Sequence, residues 1–582
     1  MKKKVFFALV ISVLQLKVLA QGFILSSQPS NYEPLHEMRA VWLATIGGID
    51  WPHTYSQSLS SAEQQKQELC EILDKLSAAG VNTVLLQTRI RATTIFPSEM
   101  EPWDGCLSGI PACSPNYDAL AFAIDECHKR GMKLHAWVVA IPVGQWDKAG
   151  CKTLRRTVPS LLKKIGNEGF MNPEKSGTAD YLARFCRDIT VRYDIDGIHL
   201  DYIRYPDAWK RIRDREEGRD NITRIVRAVH SAVKAEKPWV MLSCSPVGKY
   251  SDTRRQWSHG WNARETVCQD AAMWLREGLM DALFPMMYFR GDNFYPFAID
   301  WLERSNGRIV TPGLGIYFLD SKEKDWPLSD ITQEMHVLRQ YGMGYCMFRS
   351  KFFTDNTKGL YDYTVGTFSR YPALQPTMKW YEKQTPAAPS TVSVTDRGDG
   401  TLLLSWQEDS TFVPEDINVD NGILYNVYGA SHAPVDTKKA ENLLLAAYQG
   451  TSIVVPRGKT VRHFAVTATD RYGNESSPCQ SFSERQCVEE RLQCMGYYGK
   501  LLEDDGRYVS LDSCDVSEGQ VVEVSSIVGN TLTSRFVRLQ GRALKIELTG
   551  LAAGHYIVYL VNRRGYRHRL GIFSREIRSE RP

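Results

Sequence analysis

Between residues 38 and 380 the chain alternates short β-branched and aromatic runs with longer stretches whose apolar positions recur at helical spacing. "MRAVWLATI" predicts a strand, "SAEQQKQELCEILDKLSAAG" a helix closed by Gly80, and "VNTVLLQTRI" a second strand. The rhythm continues with helix "NYDALAFAIDECHKRGM", stopped by Gly131, and strand "KLHAWVVAI". After a longer insertion come helix "SGTADYLARFCRDITVRYD" and strand "DIDGIHLDYIRYP". Four further strands follow in "WVMLSCSPVG", "DALFPMMYF", "IVTPGLGIYF" and "GYCMFRSKFF", with helices "NITRIVRAVHSAVKAE" and "AAMWLREGLM" among them. Alternation of this kind predicts an α/β fold with a parallel sheet, and eight strands over this span predict a (β/α)8 TIM barrel with insertions. An open doubly wound sheet is the rival, but no glycine-rich phosphate loop follows the first strand.

The Pro-rich "QTPAAPSTVSV" marks a boundary near residue 385. Beyond it, "GTLLLSWQE", "LYNVYGAS", "TSIVVP" and "RHFAVTATDRYGNESSP" are spaced as the antiparallel strands of a small sandwich over 385–483. A further strand-rich stretch over 486–582 predicts a second β-sandwich. At the other end, "MKKKVFFALVISVLQLKVLAQG" has a basic start, a short apolar run and a small-residue ending, so residues 1–20 are expected to be a signal peptide and 30–384 the barrel. The run is too short to span a bilayer, and the expected protein is exported, periplasmic or at the cell surface of a bacterium, with no transmembrane segment.

Composition changes this picture little. Removing residues 1–20 takes away four lysines and no acid, so the net charge falls from +4 to 0 and no bulk attraction to nucleic acid is expected. Thirteen cysteines show no CxxC pair, and there is no HExxH or Cys/His zinc pattern, so neither a metal nor a cofactor is expected. Export permits disulfides, with Cys106–Cys113 and Cys487–Cys494 the first pairs to consider, beside the plainer expectation of buried free thiols. The sequence says nothing of oligomeric state.

The chemistry is placed by period-two alternation. Side chains facing the lumen near the strand C-termini form one pocket in a barrel. On that logic Gln87 and Arg89 share a face, as do His135 and Trp137, and His199 and Asp201, while the sixth strand offers either Met286 with Tyr288 or Met287 with Phe289. Polar groups among Trp and Tyr suit a sugar, whose ring stacks and whose hydroxyls hydrogen-bond. Substrate-binding candidates are therefore Gln87, Arg89, His135, Trp137, His199, Tyr202, Arg204 and Tyr288. His135 and His199 read equally as core histidines, Arg204 as a neutraliser of Asp201, and Asp196 as a capping or pairing group at the barrel bottom. Asp201 differs, because a carboxylate at the top of a central strand is costly unless paired or functional. Glycoside hydrolysis uses two carboxyls. Asp201 is the first, and Asp292 and Asp320 are preferred for the second, ahead of Glu101 and Asp252, because their loops directly follow strands.

The same residues carry a resemblance. "RAVWLATIGGIDWP", "FPSEMEPW", "YDALAFAIDECHKRGMKLHAWV", "YDIDGIHLDYIRYP", "SCSPVG" and "FPMMYF", in this order, resemble the glycosyl hydrolase-like 10 family over most of the barrel. The resemblance implies a barrel related to glycoside hydrolases, exported from bacteria and acting on a glycan, with peptidoglycan strands stripped of their peptides as one substrate class. The chain departs from the pattern where its third strand ends in "VVAIPVG" rather than an Asn-Pro-Tyr type ending. Residues 387–482, with Trp406, "YNVYG" and "FAVTATDRYGNES", resemble a fibronectin type III module, and the last segment is similar to C-terminal sandwich domains of exported Bacteroidetes proteins. Both resemblances imply spacers or glycan-binding modules. The alternative to hydrolysis is a barrel that binds a glycan without cutting it.

Overall fold

The computed structural model describes residues 33–481, apart from 210, 211, 213, 257, 259, 260, 382–384, 409–421, 459 and 460, and beyond them mainly the strands between 508 and 575. The expected signal peptide and the pair Cys487–Cys494 lie outside the described residues. Eight parallel strands build the barrel: β1 (Arg39–Leu43), β2 (Thr83–Arg89), β3 (Lys133–Val139), β4 (Gly197–Asp201), β5 (Met241–Cys244), β6 (Ala282–Leu283 and Met286–Met287), β7 (Ile309–Val310 and Gly313–Leu314) and β8 (Tyr345–Phe348). Each pairs with the next, and β8 returns to β1 through Arg39↔Tyr345 to Trp42↔Phe348, which closes the ring. The breaks in β6 and β7 fall at Phe284-Pro285 and Thr311-Pro312, where proline removes a ladder donor.

The strands are buried on both faces, as parallel strands under helices must be. The helix Leu59–Ala78 shows how the outer layer is specified. Ser58 and Ser61 cap its start reciprocally, and Ala62, Gln65, Leu69, Leu73 and Leu76 form the single stripe that meets the sheet. Gly197 opens β4 for a steric reason: a Cβ there would sit 2.6 Å from the His135 ring. Between β3 and β4 the insertion folds as a three-stranded antiparallel sheet, Pro142–Gln145, Glu168–Met171 and Leu162–Ile165, with helix Ala149–Thr157 in its first connection.

Two compact units divide the chain. The first joins the barrel to Arg397–Gln480, and the second holds Ser393–Asp396 and Ser481–Pro582. In the first, Leu424–Ala430 pairs with Leu443–Tyr448 and His463–Thr469, while Thr401–Gln407 pairs with Ser452–Pro456, all antiparallel. This module lies against the N-terminal ends of the barrel strands. Arg471 donates to Asp194 at 2.8 Å and to Asp196 at 3.3 Å, and Leu374 shares an apolar cluster with Tyr428, Val435 and Leu443. In the second unit, Val521–Ser526 and Gly554–Val561 pair antiparallel, as do Gly554–Val561 and Arg567–Arg575, around buried Val524, Ile557, Val558 and Phe573. Cys106 and Cys113 are free thiols, one buried and one exposed, which corrects the expected disulfide.

Candidate active site

At the C-terminal ends of the strands lies a cavity of about 470 Å³, lined by the β1 loop, β2, β3, β4, β6, β8 and the inserted sheet. Asp201 stands in its wall, 6 % exposed. Three donors converge on it: Ser245 Oγ and the Tyr202 amide reach Oδ1 at 2.8 and 2.7 Å, and Trp137 Nε1 reaches Oδ2 at 3.1 Å. Burial pushes its carboxyl above the ordinary carboxylate range, against the pull of these donors and of the Arg204 charge. Oδ2, with one donor against two on Oδ1, keeps room for a proton.

The turn after β4 is what aims the group. Tyr202 has φ +50°, a left-handed conformation that a bulky side chain adopts only when its surroundings enforce it. That turn brings its own N–H onto Asp201 and leaves its ring lining the cavity. Tyr288 also lines the cavity, stacked on Phe348 with centroids 5.1 Å apart, so of the two registers expected for β6 the cavity takes Met286 and Tyr288. Gln87 lines it too, and its Oε1 accepts from the amides of Thr45 and Ile46, which fixes the β1 loop. Asp50 anchors the same loop by accepting from Ala44 N at 2.8 Å and pairing with Arg349.

Other expected site residues are placed elsewhere. Arg89 is fully buried in an ion pair with Glu101 at 2.6 Å, with Tyr181 Oη donating to that carboxylate and the Phe185 ring 5.4 Å from the guanidinium. The ladder between β2 and β3 slips between Gln87 and Arg89, so alternation breaks and the two leave opposite faces. This removes Arg89 from the substrate surface and Glu101 from the candidate carboxyls. His135 and His199 are wholly buried in the barrel interior below the cavity. Trp42 Nε1 donates to His199 Nε2 at 3.2 Å, so the proton sits on Nδ1 and is donated to Ser243 Oγ at 3.0 Å. Burial holds His199 well below the ordinary imidazole range and lowers His135 to about 4. Both are neutral core groups. Asp292 and Asp252 are exposed, Asp320 accepts from Lys322 N in a tight turn, and none of the three lines the cavity. Arg204 pairs with Asp207 at 2.8 Å beside the cavity rather than inside it. Asp196 accepts from His128 at 2.8 Å and from Leu134 N at the barrel bottom.

The carboxyls that do line the cavity with Asp201 are Glu168 and Asp207. Glu168 sits at the tight Gly166-Asn167 turn of the inserted sheet, where Ile165 pairs with Glu168. That Gly-Asn pair between two short runs was the available signal for a hairpin. Ser245 was likewise readable as the inward neighbour of Ser243 two residues on. Among the described residues no group of three or more His, Cys, Asp or Glu side chains is arranged to hold a metal ion, and no helix is long and apolar enough to cross a membrane.

Residues 37–318 match the family described as Glycosyl hydrolase-like 10. Among curated proteins, the chain is 27 % identical over 493 residues to "Glycosyl hydrolase YngK" of Bacillus subtilis, covering 77 % of this chain and 93 % of that protein. It is 29 % identical over 360 residues to "Glycosyl hydrolase DigH" of Escherichia coli K12, covering 53 % of this chain and 79 % of that protein. Among solved structures, the PgaB (BpsB) glycoside hydrolase domain of Bordetella bronchiseptica aligns over 57 % of this chain and 98 % of its own, at 11 % identity and a TM-score of 0.40.

Proposed function

We propose that this barrel, a glycoside hydrolase by the family it matches, is exported and cleaves O-glycosidic bonds in a bacterial glycan, with peptide-free peptidoglycan strands the favoured substrate. The observation that carries the catalytic assignment is Asp201: a buried carboxyl at the mouth of β4, fixed by three donors, with its pKa raised, in the cavity lining. Of a pair of carboxyls, the one whose pKa burial raises is the better suited to proton donation, so Asp201 is assigned the protonation of the leaving glycosidic oxygen. Glu168, from the inserted sheet, supplies the second carboxyl, in preference to Asp207, which the Arg204 ion pair occupies. Trp137, Tyr202 and Tyr288 offer faces for sugar rings, and a cavity of this size suits one or two of them. The basic and apolar N-terminal run supports export, and the order of the barrel motifs supports the substrate class.

The test is reducing-end release from purified denuded glycan strands. The parent is expected to cleave them, Asp201→Asn to lose about 10²–10⁴-fold in kcat, and Glu168→Gln to fall by a comparable factor while Asp207→Asn falls less. Glycan binding without new reducing ends in the parent would overturn the reading. Asp207→Asn losing more than Glu168→Gln would exchange the roles of those two acids.

A further inference from the structure

At the rim of the cavity, Arg204 and Trp261, from two loops, layer against Tyr202, which lines it. Arg204, 3 % exposed, lies between two aromatic rings, its guanidinium carbon 4.4 Å from the centroid of Tyr202 and 4.9 Å from that of Trp261. Tyr202 is 37 % exposed and Trp261 45 % exposed. A tryptophan that reaches solvent from the loop after β5 gives up hydrophobic burial of a large side chain. Arg204 is held from the other side by Asp207, which with Tyr202 belongs to the cavity lining. Arg204 Nε is buried and has no hydrogen-bond partner among the described residues. The edge is therefore continuous with the cavity, stacked, and aromatic on its open side.

We propose that Trp261, backed by Arg204 and Tyr202, forms a further sugar subsite that holds the next ring of the glycan chain beyond the cavity. The apolar face of a pyranose stacks on an indole whose other face rests on a cation. A site of this kind acts on chain length: an oligomer long enough to reach Trp261 gains binding energy that a short one cannot. The proposal rests on the hydrolase reading above and adds to it a length selectivity and the residue that produces it.

The experiment compares cleavage of a denuded peptidoglycan tetrasaccharide and octasaccharide by the parent, Trp261→Ala and Trp261→Phe. In Trp261→Ala the ratio of kcat/KM for octasaccharide over tetrasaccharide falls about five- to tenfold, the size of a lost aromatic stacking contact, and the change appears in KM. Trp261→Phe, which keeps a stacking face, retains most of the ratio. An equal loss at both lengths, or no change in the ratio, would overturn the subsite while leaving the hydrolase reading in place. A parent that cleaves neither oligomer would overturn both, so the two failures are told apart by the parent alone.

Discussion

Asp201 and His199 are two residues apart on one strand, face the same lumen, and do different work because two layers of the barrel differ in what surrounds them. Asp201, at the mouth, meets three donors and a cavity. His199, one layer down, meets Trp42 and Ser243 and is sealed. His135, deeper still, has no hydrogen-bond partner on either ring nitrogen among the described residues. A histidine buried neutral has a consequence for stability. Its folded pKa lies near 4, below the ordinary 6.5, so the unfolded chain takes up a proton that the folded protein refuses. Stability from this group is intact above pH 6.5 and is lost as the pH falls toward 4, by about 3 kcal/mol at full depth. Thermal melts across that window are expected to fall more steeply in the parent than in a His135→Gln variant, which has no proton to take up. Parallel curves would show that His135 is solvated.

At the scale of elements, the order of strands and helices was legible because buried parallel strands and one-sided helices write different periods into the chain. The candidate acid was legible for the same reason, since Asp201 ends an apolar strand on its polar face. What alternation could not show is where it stops. The slip between Gln87 and Arg89 changes no residue type, yet it turns Arg89 from the lumen to the helix layer, where Glu101 and Tyr181 receive it. Glu168 was missed for a second reason: the inserted sheet lies between two barrel units, and nothing in a local pattern says that its turn folds back over the strand ends. Asp292 and Asp320 follow strands, but position after a strand does not fix direction. The β2 reading is testable. Glu101→Gln leaves the Arg89 cation buried without its counter-charge, a change expected to cost on the order of 3–5 kcal/mol. The variant should melt well below the parent, yet retain kcat on a glycan substrate at temperatures where it is folded. A loss of kcat without a loss of stability would return Arg89 and Glu101 to the catalytic surface.

At the scale of the first compact unit, the module at 397–480 is a brace on the barrel floor. Gly131, at φ +68°, ends a barrel helix where a Cβ would lie 2.4 Å from Ala446 O, so the two parts meet at backbone distance. Beside that contact, Arg471 enters a nest of acids at the start of β4, giving Asp194 two hydrogen bonds and Asp196 one. Burial alone would raise Asp196, but His128 and Arg471 outweigh it and hold its carboxyl well below the usual range. His128 is raised in return by the same partner, against its own burial. The linkage has two edges. The depressed Asp196 contributes stability above the ordinary carboxylate pKa that is lost as the pH falls, and the raised His128 contributes stability below about 6.5 that is lost as the pH climbs through its folded value. The acid cluster therefore contributes most to stability between the two. Arg471→Ala leaves Asp196 with His128 as its nearest partner and Asp194, which is half-exposed, with the more distant His128 Nδ1 at 3.8 Å and solvent. Because one acid is buried and the other is not, the loss should be on the order of 3 kcal/mol, at the low end for a broken buried pair. Hydrogen exchange reads it directly. In the parent, amides of His463–Thr469 and of β4 are expected to exchange in one cooperative opening near pH 6. In Arg471→Ala the module strand should exchange faster than β4, and its excess over the parent should widen at alkaline pH, where a neutral His128 leaves Asp196 with neither cation in the variant. Unchanged exchange in both strands would mean that the apolar contacts around Leu374 and Tyr428 hold the module without the charge cluster.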